Sequence, residues 1–88
     1  MSQAIALEDL DWEADARAAL EKVAGMGHPF DAYDLTQRAD LREPPNSSMW
    51  GALFREAAKD GVIRWVGARK SRRPQRRGSL VSVWRAAA

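Results

Sequence analysis

The sequence predicts an α+β domain, three helices followed by a small antiparallel β-hairpin. Three observations predict it. Residues 47–59 place Trp50, Leu53, Phe54 and Ala57 at i, i+3, i+4 and i+7, the spacing of a helix with one buried face. Residues 62–66 and 79–84 are β-branched and aromatic runs, hence two strands. Between them, residues 67–78 hold six cations and no acid. Those twelve residues are too many for a tight turn, so they predict an extended charged loop.

In chain order, Met1–Leu7 shows no pattern and is expected to be a loose tail, with the domain running over 9–85 and a short tail over 86–88. The first helix begins near Asp9 or Asp11, either of which can cap free N–H groups. Its buried stripe is Trp12, Ala16, Ala19, Leu20 and Val23, although Trp12 could instead join a homodimer contact. Glu13, Arg17 and Glu21 form a solvated i, i+4 ladder, and Gly25 and Gly27 end the helix. Pro29 keeps His28 out of the helical region, leaving a short extended piece with Phe30 in the core.

Asp31 caps a second helix, about Ala32 to Arg38 or Ala39, with Asp34 three residues on in a box-like arrangement. Leu35 and Ala39 point inward, with Tyr33 or Leu41 beside them. Pro44 and Pro45 cannot continue a helix, so Leu41–Pro45 is a turn, and Asn46 caps the third helix, Ser47–Lys59. Gly61 stops it. In the hairpin, Ile63, Val81 and Val83 are expected inside. Trp50 and Trp65 are expected in the core, and Trp84 is either core or a surface plate against the loop.

The totals bound the function. Eighty-eight residues make one domain, and 45% apolar content with four tryptophans makes a core feasible. There is no cysteine, hence no disulfide and no thiolate metal site, and one histidine, His28, cannot build a His-rich site. No cofactor is expected. No apolar run approaches the roughly 18–20 residues of a membrane span, and Met1–Leu10 lacks the basic start and apolar centre of a secretory signal. A cytoplasmic protein with no membrane partner is the expectation.

Charge is unevenly spread. Residues 1–54 carry four cations against ten acids, and residues 55–88 carry ten against two. That asymmetry points to one face meeting a polyanion. Eleven of the fourteen cations are arginine, whose planar fork suits phosphate and guanine edges. On the third helix, the face opposite the apolar stripe carries Ser48, Ala52, Arg55 and Lys59, small at its start and cationic at its end. The acidic first half is a candidate surface for a protein partner.

The order helix, extended piece, helix, turn, helix, strand, loop, strand resembles the winged helix-turn-helix family from about Asp9 to Arg85. A narrower pattern, Asn46-x-x-x-Trp50-Gly51-x-x-Phe54-Arg55, then Gly61-x-Ile63 and Val83-Trp84-Arg85, is similar to small basic proteins encoded by bacteriophages and prophages. The resemblance implies double-stranded DNA as partner, the third helix in the major groove and the hairpin loop as a wing on the backbone. It assigns Ser47, Ser48, Ala52, Arg55 and Lys59 to the groove, and Arg69, Lys70, Arg72, Arg73, Arg76 and Arg77 to the wing. A protein-interaction module or RNA-binding adaptor is the alternative.

Catalysis finds no support. There is no thiol nucleophile, no Ser/His/Asp grouping at a recognisable spacing and no Gly-rich loop ending in Lys-Ser/Thr. The acids Glu8, Asp9, Asp11, Glu13 and Asp15 spread around a helix axis, as a cap and solvated face do.

Overall fold

The structure, a computed structural model, describes residues 7–73 and 79–87. Helices α1 (Leu7–Ala24), α2 (Ala32–Arg38) and α3 (Ser48–Lys59) precede strands β1 (Ile63–Lys70) and β2 (Leu80–Ala86). The α+β class, three helices and a two-stranded antiparallel hairpin, is as the sequence predicts. Of the expected tail, 1–6 lies outside the described residues. Helix α1 begins at Leu7, ahead of both acids expected to cap it, so Asp9 and Asp11 lie within the helix.

One core joins the elements. The α1 stripe of Trp12, Ala16, Ala19, Leu20 and Val23 packs with Phe30, Leu35, Leu41, Leu53, Phe54, Ala57 and Ile63. Trp12 is fully buried, which removes it from any dimer surface. Its indole N–H is satisfied by the Arg42 carbonyl at 2.7 Å, tying α1 to the α2–α3 turn.

Aromatic rings form the centre. Phe54 stacks on Trp84 with centroids 5.3 Å apart and planes 5° apart, and on Trp50 at 6.4 Å. Trp12 meets Trp50 edge-on at 5.1 Å. Such pairs contribute about 0.5–1.5 kcal/mol beyond burial of area.

The local signals explain the breaks. Asp31 and Asp34 form a reciprocal capping box, each side chain accepting the other's backbone N–H, at 3.1 and 3.0 Å. Helix α3 ends in a Schellman arrangement: Val62 N–H bonds Ala57 O, and Gly61 N–H bonds Ala58 O, both at 3.0 Å. Gly61 takes φ +78, which a side chain would strain.

The short extended piece does more than link helices. Phe30 and Trp84 exchange two backbone hydrogen bonds of 2.9 and 2.8 Å, adding an isolated antiparallel bridge to β2.

Two expectations about the hairpin need correction. Strand β1 runs on to Lys70, and Ser71 N–H still reaches Ser79 O at 2.7 Å, so Gly67–Lys70 is strand rather than loop. Trp65, expected in the core, is 59% exposed. A bulge follows it. Trp65 pairs with Trp84 and Gly67 with Val83, leaving Val66 without a partner. The extra residue breaks alternation beyond Trp65, and Arg64, Trp65 and Val66 are exposed in succession. Ile63 and Val83 are buried as expected, and Val81 is half-buried.

Candidate nucleic-acid interface

The cations of α3 and of the hairpin have different environments. Arg55 and Lys59 are exposed and make no ion pair among the described residues. They sit opposite Leu53, Phe54 and Ala57, so burial of that stripe turns them outward. The guanidinium of Arg55 folds back along the helix: a Cβ placed on Gly51 would lie 3.3 Å from its Nη1.

At the start of α3, Asn46 Oδ1 accepts both the backbone N–H and the hydroxyl of Ser48, each at 2.9 Å. The N–H groups of Met49 and Trp50 donate to the carbonyls of Asn46 and Ser47. These three backbone donors are therefore occupied. Ser47 makes no side-chain cap bond.

The two flanks of α3 differ. Toward α1, Ala52 borders a cleft of about 460 Å³ with Glu13, Arg17 and Glu56 on its walls. Toward the hairpin, Ser47, Gly51 and Arg55 border a cleft of about 350 Å³ whose other wall carries Arg73, Val81 and Ser82, over Trp50, Phe54 and Trp84. Among the described residues, no carboxylate lines this second cleft. Arg55 thus lies on the hairpin side, whereas Ala52 faces the flank that carries acids.

Three hairpin arginines, Arg69, Arg72 and Arg73, are held inward. Arg69 donates to Asp31 from Nε at 3.0 Å and to Asp34 from Nη2 at 2.9 Å. Arg72 Nη2 donates to Asp34 Oδ1 at 2.7 Å and to Asp31 Oδ1 at 3.2 Å. Arg38 adds a bond to Asp34 at 3.3 Å. Both carboxylates are buried. Burial pulls the Asp34 carboxyl up, but hydrogen bonds from Arg72, the Asp31 backbone and Arg38 outweigh it and hold it below the ordinary aspartate value. The hydrogen bond to Asp34 raises the Arg72 guanidinium against its own desolvation. Arg69 and Arg72, expected as phosphate contacts, instead pin the loop end of the hairpin to the start of α2.

Ser71 directs this return. Its hydroxyl accepts the Arg73 N–H at 3.1 Å, a local turn that aims Arg73 back at the body. Arg73 bonds Glu43 at 2.6 Å and lies over the rings of Tyr33 at 5.5 Å and Trp50 at 5.8 Å. Lys70 is exposed and unpaired among the described residues. Arg76 and Arg77 lie outside the described residues.

Sequence reasoning missed several participants. Asp31 and Asp34 are legible as a cap but not as acceptors for arginines more than thirty residues away. Arg64 stands exposed on β1, directly opposite Arg85, which donates to Gly27 O at 3.1 Å. Glu43 had no visible role in its turn. His28 is exposed. Among the described residues there is no group of three or more His, Cys, Asp or Glu side chains able to hold a metal, and no helix is long and apolar enough to cross a membrane. Comparison of the chain with protein-family models, curated proteins and solved structures finds no match.

Proposed function

We propose that this chain is a winged helix-turn-helix protein that binds double-stranded DNA without catalysis, as a small regulator or nucleoprotein component of phage or prophage type. The observation that carries the reading is the outer face of α3: Arg55 and Lys59 make no ion pair among the described residues, on a helix whose hairpin-side cleft is lined by Arg55 and Arg73 and by no described carboxylate. In this reading α3 enters the major groove. The wing contributes Lys70 and, as the resemblance implies, Arg76 and Arg77, while Arg69 and Arg72 fix the wing's position.

Titration of random duplex DNA at several salt concentrations tests it. Full engagement of six wing phosphates would give a slope of log K against log [salt] near about −5. With Arg69 and Arg72 tied to carboxylates, the wing's share is smaller. Replacing Arg55 and Lys59 together by alanine lowers the slope by about 2 and leaves stability within about 0.5 kcal/mol. Absence of duplex affinity at about 0.1 M salt would reject the reading, because at a Debye length of about 10 Å only close contacts persist.

A protein-interaction or RNA-adaptor role is the second reading. It is favoured by the exposed Trp65 and Leu80 on the hairpin and the exposed acids of α1.

A further inference from the structure

Arg73 is the least satisfied side chain in the site. A guanidinium has five N–H donors. Here Nη1 bonds Glu43 at 2.6 Å, and Nη2 is enclosed without an acceptor among the described residues. A buried charged donor left without an acceptor is costly. The aromatic faces of Tyr33 and Trp50 fix the plane of the group while supplying no oxygen. Its acceptor, Glu43, is 58% exposed, so water already competes for that carboxylate.

The cleft beside it offers the complementary half. Arg55 faces it from α3, Ser47 and Ser82 supply hydroxyls, and about 350 Å³ of space lies over the aromatic floor. By contrast, the cleft between α1 and α3 sets Glu13 and Glu56 against Arg17, and a third, of about 310 Å³ between α1 and the α2–α3 turn, balances Asp15 and Asp40 with Lys22 and Arg42. Of the three, the hairpin-side cleft is the one lined by cations without an acid among the described residues.

We propose that this cleft is a phosphodiester clamp for a DNA strand, in which Arg73 exchanges Glu43 for a backbone phosphate facing Arg55. The proposal rests on the DNA-binding reading and deepens it. A phosphate oxygen pair accepts two parallel N–H groups from one guanidinium, which a small turn of Arg73 away from Glu43 brings into the cleft. Sugar carbons then lie against Trp50 and Trp84, and the hydroxyls of Ser47 and Ser82 flank the oxygens. Glu43 is a positioning residue: it neutralises Arg73 in the free protein and competes with the strand for it.

The exchange makes an uncommon prediction, that removing an acid partner improves binding. Glu43→Gln is expected to tighten duplex DNA binding about two- to fivefold at about 0.1 M salt. Ser82→Glu, which sets a carboxylate at the cleft, is expected to weaken it by at least as much. Circular-dichroism melts check that both variants remain folded.

In ¹⁵N-labelled protein, the Arg73 and Arg55 Nε–H signals are expected to shift on adding a short duplex, and also with the dinucleotide dTpdT. Duplex binding that shifts Arg55 but leaves Arg73 in place, or a Glu43→Gln variant that binds no better than the parent, overturns the clamp and leaves the DNA reading standing. Arg73 shifts with dTpdT but no duplex affinity would retain the clamp and reject the duplex reading. No response to either probe rejects both.

Discussion

Arg55 and Lys59 on α3 stand in solvent with no carboxylate partner among the described residues, whereas Arg69 and Arg72 at the loop end of the hairpin each bond two buried ones. By residue type and local density the hairpin set is the more cationic. By availability the α3 set is. The difference lies in what folding brings alongside: α3 turns its outer face to water, while β1 and the Ser71 turn return the hairpin arginines to the cap of α2. A charge count along a chain therefore measures the capacity to bind a polyanion, and the carboxylates that fold against it set how much remains.

The sharpest way to break the comparison is to remove the inward pair. Arg69→Ala with Arg72→Ala leaves Asp31 and Asp34 buried with Arg38 alone. Removing partners from a buried charge costs several kcal/mol. The arginine heads are partly exposed, so a loss of about 3 kcal/mol in urea unfolding is expected. The α3 double variant should melt with the parent. Equal stability losses in the two double variants would erase the distinction.

A smaller effect follows from acid. The folded pKa of Asp34 is depressed, so its contribution is complete above the unfolded aspartate value of about 3.8 and is lost as pH falls through the folded one. Thermal stability should therefore drop below about pH 4, and the Arg69→Ala, Arg72→Ala variant should lose most of that extra sensitivity. A parent melting temperature that is flat from pH 5 to pH 2.5 would contradict this.

The smallest effect sharpens the contrast between buried and exposed pairs. Arg17 bonds Asp60 at 2.9 Å, and both side chains are partly exposed. Asp60→Asn should change stability by less than about 1 kcal/mol, as read in the same urea titration.

Legibility in the sequence followed the range of the interaction. The α2 box, the apolar stripes of α1 and α3 and the Gly61 stop depend on residues within a few positions of one another, and all are present. The failures required knowledge of distant neighbours. Trp65 is a large aromatic expected inside, yet it stands exposed on the hairpin, and only the pairing with β2 reveals the bulge at Val66 beside it. The arginine run gave no hint that the Asp31–Asp34 cap would claim two of its members, because a capping residue and an ion-pair acceptor are the same carboxylate. Arg55 and Lys59 were legible because a helix fixes its outer face by phase alone.

The reciprocal hydrogen bonds between Phe30 and Trp84 also constrain when the molecule can become ordered during synthesis. While Trp84 is still inside the ribosome, one partner of the Phe54 ring is missing and the Phe30 N–H has no acceptor. The helices can gather in the meantime, but without a unique packing. Addition of β2 closes the ring column and the bridge together, so a released chain truncated just short of residue 84 is expected to be far more open to protease attack than the full chain.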